Sequence, residues 1–134
     1  MTGVPTIRDF MDKSFITFHK DTDVYKAIDI LLDSKITGAA VVDEKGKLCG
    51  VLSEKDCLRT LTHGVYHSLP GGKVSEYMTE NPETISAELD VFTVADMFLK
   101  RNFRRLLVVE NDELVGQITR RDLLRAIQQI KHDQ

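Results

Sequence analysis

At 134 residues, with 42% hydrophobic and 29% charged side chains, the chain can bury a core of its own and is far from the composition of a disordered protein. A formal net charge of −3 gives no general attraction to nucleic acid or anionic lipid, so any anion site must be local. No run approaches the roughly 18 apolar residues of a membrane span, Met1-Thr2-Gly3-Val4-Pro5 lacks the order of a signal peptide, and two cysteines without companion ligands suggest neither a disulfide framework nor a zinc site; a cytoplasmic protein is expected, with Cys49 and Cys57 as small buried groups.

Ile16-Thr17-Phe18 predicts a short leading strand. Val24, Ala27, Ile28, Leu31 and Leu32 then recur at helical spacing, predicting a helix with a buried stripe, and Asp23 stands where an N-cap belongs. The β-rich run Ala39-Ala40-Val41-Val42-Asp43, a turn at Glu44-Lys45-Gly46-Lys47, and Leu48-Cys49-Gly50-Val51-Leu52-Ser53 predict a hairpin. A helix from Glu54 to about Leu61 carries Leu58 and Leu61, and residues 62–72, with Pro70-Gly71-Gly72, form a linker. The order then recurs: a strand at Thr84-Ile85-Ser86, an N-cap at Asp90, and a helical stripe of Val91, Val94, Ala95, Phe98 and Leu99. A strand at Leu106-Leu107-Val108-Val109-Glu110, a turn at Asn111-Asp112-Glu113, a strand at Leu114-Val115-Gly116-Gln117-Ile118-Thr119, and a helix from Arg120 to about Ile130 bearing Leu123, Leu124, Ile127 and Ile130 complete it.

The recurrence is a duplication. A shift of 67 lays Phe10-Met11 on Tyr77-Met78, Asp23-Val24 on Asp90-Val91, and the first hairpin strand on its counterpart; one residue lost in the turn drops the shift to 66 beyond it. The expected fold class is α/β (α+β): two β-α-β-β-α repeats, residues 1–68 and 69–134, packed about a pseudo-twofold axis into one module, because a three-stranded unit alone buries too little.

The copies agree best at Gly50-Val51-Leu52-Ser53-Glu54-Lys55-Asp56 and Gly116-Gln117-Ile118-Thr119-Arg120-Arg121-Asp122, a strand-to-helix turn written Gly-x-apolar-Ser/Thr-x-x-Asp. One interpretation is a capping box, with Ser53 or Thr119 accepting a backbone N–H and Asp56 or Asp122 reaching back. The other uses the same geometry for a ligand: a hydroxyl and a helix N-terminus receive phosphate, and a carboxylate one turn in accepts ribose hydroxyls. Lys55, Arg121 and the pair Arg104-Arg105 could supply cations, or form a solvated basic face.

These motifs, with Tyr77-Met78-Thr79, Val41-Val42-Asp43-Glu44-Lys45-Gly46 and Arg104-Arg105-Leu106, resemble the CBS domain family, and the pair resembles its tandem form, the Bateman module. The resemblance implies a regulatory module whose two clefts bind an adenine nucleotide or related adenosyl compound, AMP, ADP, ATP or S-adenosylmethionine, each cleft drawing on both repeats. One would combine Thr119, Arg121 and Asp122 with Ile36, Thr37, Gly38 and Ala39; the other would combine Ser53, Lys55 and Asp56 with Phe103, Arg104 and Arg105. It further implies a homodimer and a separate, unidentified regulated protein, with no required cofactor. The chain departs from the family pattern where Ala40 and Leu107 replace a proline of the hairpin strand, and where the first repeat lacks the counterpart of Pro82.

Catalysis is not expected, since no histidine accompanies a motif Ser or Thr in the repeat alignment and no Gly-rich phosphate loop is present. His63 and His67 have a metal-clamp spacing, but Gly64 between them and the linker setting argue against an ordered site, and no metal is expected. Two other functions are weighed: a dimerisation or protein-docking module without ligand, and nucleic-acid binding through Arg101, Arg104, Arg105, Arg120, Arg121 and Arg125.

Overall fold

The structure, a computed structural model, describes residues 3–62 and 69–134, so the linker residues His63 and His67 lie outside the described residues. The chain divides into two compact units, one contiguous over Ile16–Pro82 and one discontinuous, built from Met1–Phe15 with Glu83–Gln134.

The contiguous unit carries a four-stranded sheet in the order β1 (Thr17–His19), β2 (Gly38–Val42), β3 (Leu48–Ser53) and β4 (Thr79–Glu80). β1 runs parallel to β2, connected through the helix α1 (Val24–Ser34), while β3 runs antiparallel to both of its neighbours, β2 and β4. Asp23 caps α1 by accepting the Lys26 N–H at 3.3 Å, and Lys35, at φ 56°, ends it in the left-handed conformation with its N–H returned to the Leu31 and Leu32 carbonyls. Phe18, Val24, Ala27, Leu31, Val41 and Leu52 form its core.

The discontinuous unit repeats the plan with a three-stranded sheet of β5 (Thr84–Ile85), β6 (Arg105–Glu110) and β7 (Glu113–Thr119), with one parallel and one antiparallel pairing and, among the described residues, no strand in the place of β4. Asp90 caps α5 (Val91–Lys100) through the Thr93 N–H at 2.8 Å, and α6 (Arg120–His132) follows β7 directly. Both hairpins slip register at the same place, between Val41 and Val42 and between Val108 and Val109.

The units in space are cut differently from the repeats in sequence. A 3-10 turn at Ile7–Asp9, at the start of the first repeat, belongs to the core of the discontinuous unit, where Ile7 is fully buried and its N–H reaches the Leu89 carbonyl at 2.9 Å. Its counterpart α4 (Val74–Tyr77), at the start of the second repeat, completes the contiguous unit: Val74 is fully buried and its N–H reaches the Thr22 carbonyl at 2.8 Å. A division at residue 68 follows the duplication, whereas each compact body closes over the lead-in segment of the other repeat. These lead-ins are a single turn long, too short for periodicity to reveal.

Three expectations are corrected. The helix expected from Glu54 to about Leu61 is broken at Leu58 into α2 (Glu54–Cys57) and α3 (Arg59–Thr62). Side chains compete there for the carbonyls of the turn, with Thr60 Oγ1 donating to the Cys57 carbonyl at 2.9 Å and Arg59 Nε to the Asp56 carbonyl at 3.3 Å. The buried stripes are narrower than the spacing implied: Leu32 is 68% exposed and Leu99 85%. A residue eight positions along a helix comes round by about 80°, off the line of Val24 and Leu31. Cys57 is buried as expected, but Cys49 is half-buried on β3; burial, ahead of nearby carboxylates, pushes both thiols up.

Candidate functional site

The shared turn sits at the carboxyl end of the last hairpin strand of each unit, where the chain passes from β3 into α2 and from β7 into α6. Ser53 and Thr119 both have extended backbone, which aims their side chains back over the first turn of the helix that follows.

Both turns form full capping boxes. Asp56 Oδ2 accepts from Ser53 N at 2.9 Å and Ser53 Oγ at 3.0 Å, while Ser53 Oγ accepts from Asp56 N at 3.1 Å. Asp122 Oδ2 accepts from Thr119 N at 2.8 Å and Thr119 Oγ1 at 3.0 Å, and the Asp122 N–H returns to Thr119 Oγ1 at 3.4 Å. Each box occupies one carboxylate oxygen and fixes where the other lies. Asp122 is nearly buried, its side chain 9% exposed, and Asp56 is at 14%. The capping and ligand interpretations are therefore compatible: the cap consumes Oδ2 and holds Oδ1 in place.

The second oxygen is treated differently in the two units. Asp122 Oδ1 accepts from Arg125 Nη1 at 2.7 Å, whereas Asp56 Oδ1 accepts from Thr79 Oγ1 at 3.0 Å, with Arg59 Nη2 standing off at 3.7 Å. The Arg59 guanidinium lies 5.9 Å from the Tyr77 ring centroid, within cation–π range. The sequence reading missed Arg59, Arg125 and Thr79. Two signals could have found the arginines: each follows its Asp by three residues in a segment the sequence predicts as helix, and the shift of 66 lays one on the other.

Around Asp122 the discontinuous unit has a hollow of about 430 Å³ lined by Phe10, Met11, Asp12, Thr119, Arg121 and Arg125. Lys55 and Arg121, expected to supply positive charge, are both exposed. Of the residues expected to meet the base, Gly38 is paired directly with Ser53 across the β2–β3 ladder, and the Thr37 carbonyl accepts the Glu54 N–H at 2.9 Å. Ile36 is half-buried and Ala39 buried, so in the contiguous unit all four flank the turn of the same unit. In the discontinuous unit Arg105 pairs across the ladder with Thr119, and the Phe103 carbonyl accepts from Arg120 at 3.5 Å. Arg104 is exposed, while burial, and then the neighbouring Arg104, lower the Arg105 guanidinium from its ordinary value.

The motif glycines are needed for close approach. A Cβ on Gly50 would stand 2.6 Å from the Thr79 carbonyl and 2.8 Å from Met78 Sδ; on Gly116 it would stand 2.6 Å from Met11 Sδ. Met11 and Met78 are thus packing residues laid over the motif strand. Among the described residues no cluster of three or more His, Cys, Asp or Glu is placed to hold a metal ion, and no helix is long and apolar enough to cross a membrane.

The CBS domain profile matches residues 7–63 and again 74–129. The chain belongs to the CBS domain family, in its tandem form. It is 31% identical over 158 residues to the chloroplastic CBS domain-containing protein CBSX1 of Arabidopsis thaliana, covering 97% of this chain and 67% of that protein. The crystal structure of CBSX2 in complex with AMP superposes with a TM-score of 0.79 at 31% identity, over 95% of this chain and 98% of that one; CBSX2 is also from Arabidopsis thaliana. The CBS domain pair of protein MJ0100, in complex with 5′-methylthioadenosine and S-adenosyl-L-methionine, gives 0.73 at 28% identity over 94% and 98%. The chain spans 42% of a longer, uncharacterized relative from Methanocaldococcus jannaschii that is 26% identical over 121 residues.

Proposed function

We propose that the chain is a ligand-sensing regulatory module that binds an adenine nucleotide or adenosyl compound at its Ser/Thr–Asp turns. One observation carries this reading: in both units the motif carboxylate has one oxygen filled by its own cap and the other carrying a single hydrogen bond, which leaves an acceptor site for a ribose hydroxyl. Related CBS pairs in complex with AMP, and with methylthioadenosine and S-adenosylmethionine, support the ligand class. Ser53, Lys55 and Asp56, and Thr119, Arg121 and Asp122, are assigned to ribose and phosphate; Ile36, Thr37, Gly38 and Ala39, and Phe103, Arg104 and Arg105, are assigned to the base. Of the two turns, that of Asp122 suits phosphate better, because α6 is 13 residues long and α2 only four, and the helix dipole grows with aligned peptides.

The module is proposed to be non-catalytic, to need no cofactor, and to act on a separate protein. Self-association is supported by two apolar faces that the duplication makes equivalent: Leu32, Leu58 and Leu61 in one unit, Leu99, Leu124 and Ile127 in the other, all more than half exposed.

Thermal unfolding with and without millimolar AMP, ADP, ATP and S-adenosylmethionine tests the proposal. A ligand at 100 times its Kd should add about 2.7 kcal/mol to native-state stability. Asp122→Ala or Asp56→Ala should weaken the ligand by roughly 1.5–3 kcal/mol. Loss of the cap alone would lower stability by about 0.5–2 kcal/mol and leave ligand shifts intact. If no ligand raises the melting temperature, the chain is a CBS pair whose function lies in docking.

A further inference from the structure

We propose that Arg125 sets the ligand preference of the Asp122 turn, making it select phosphorylated ribonucleosides over the bare nucleoside; this rests on the nucleotide-binding role proposed above. A carboxylate offers about four lone-pair sites. At Asp122 three are taken: Thr119 N and Thr119 Oγ1 on Oδ2, and Arg125 Nη1 on Oδ1. A vicinal diol that donates both hydroxyls needs two acceptor sites, so it must displace Arg125.

Displacement breaks an ion pair at 2.7 Å to a carboxylate that is only 9% exposed. The freed guanidinium, on a side chain 62% exposed, is then left to water alone unless the ligand brings another anion. A bare nucleoside offers none. A phosphorylated one exchanges anion for anion, because Arg125 lines the same hollow as Thr119 and Arg121.

The Asp56 turn lacks this device. Its Oδ1 is held by the neutral hydroxyl of Thr79, an exposed residue that can turn to solvent at little cost, and Arg59 does not hydrogen-bond to it at 3.7 Å. The difference traces to the lead-in segments, where the shift of 67 places Asp12 opposite Thr79. Asp12 cannot donate when ionised, and its carboxylate instead accepts the Ser14 N–H at 2.9 Å.

Isothermal titration of the full chain with AMP and with adenosine tests the inference, using Asp56→Ala as background to isolate the Asp122 turn. The background protein should prefer AMP. Adding Arg125→Gln should shrink the AMP-to-adenosine affinity ratio by about tenfold, strengthening adenosine while weakening AMP, with Arg125→Lys between the two. Far-UV circular dichroism should be unchanged, since Arg125 is exposed. An unchanged ratio, with both ligands weakened alike, would overturn the role of Arg125 and leave the nucleotide reading standing. The same holds if the Asp56→Ala protein binds nothing while Asp122→Ala still binds. Absence of binding by the unsubstituted chain would remove the inference together with the function it rests on.

Discussion

Gly50 and Gly116 open the same motif, yet the structure gives them different tolerances. A methyl at Gly50 meets a backbone oxygen, that of Thr79, at 2.6 Å, so β4 itself must move; at Gly116 the nearest atom is the flexible end of Met11, and the Asp12 carbonyl stands back at 3.3 Å. Gly50→Ala should therefore cost about 1–3 kcal/mol and Gly116→Ala clearly less, as measured by urea denaturation. Equal costs would mean that the lead-in segments are held with the same rigidity in both units. The motif itself was legible in the sequence because it occurs twice in register. What the glycines accommodate was not, since the atoms they admit belong to Met11, Met78 and Thr79, which periodicity gave no reason to place against β7 and β3.

At the scale of elements, hairpin strands and long helices could be read from spacing. β3 has the expected bounds, and α1, α5 and α6 begin where their Asp or Thr caps stand. Short elements escaped: β4 is two residues, α4 is four, and neither offers a full period. Exposure was misjudged for a related reason, because helical spacing marks apolar residues without saying which flank faces a neighbour. Leu99, expected in a buried stripe, is informative in being exposed. Leu99, Leu124 and Ile127 extend an apolar surface beyond what the unit's own core uses, next to a hollow of about 730 Å³ that Leu99 and Ile127 border with Ala95, Phe98 and Leu123. Leu99→Asp combined with Ile127→Asp should abolish self-association in sedimentation velocity while leaving the melting temperature of the monomer nearly unchanged, since neither side chain is buried. A wild-type chain that sediments as a monomer at high micromolar concentration would refute the proposed homodimer.

For the whole molecule, the duplication fixed the architecture but not its partition. Sequence comparison sees lead-in, body, lead-in, body; it cannot see which body a lead-in closes. Ile7 has no exposed surface, and it lies among Val94, Leu106, Val108 and Ile118, 80 or more residues away in sequence. Ile7→Ala should cost about 2–5 kcal/mol, the usual range for truncating a buried isoleucine. The loss should be local. Hydrogen exchange should show protection falling in β6, β7 and α6 while β2 and β3 keep theirs; because all three tyrosines fall within residues 16–82, their fluorescence transition should stay in place. Equal loss everywhere would show that the two units unfold as one.

The same partition orders events during synthesis on the ribosome. The contiguous body has every residue it needs once Pro82 has emerged, and can settle while translation continues. Residues 3–15 leave the tunnel ahead of that body but must wait, with Ile7 and Met11 uncovered, until Glu83–Gln134 has followed. A segment made before either body is complete is thus buried only with the second, and its apolar turn stays open to a chaperone throughout the synthesis of both.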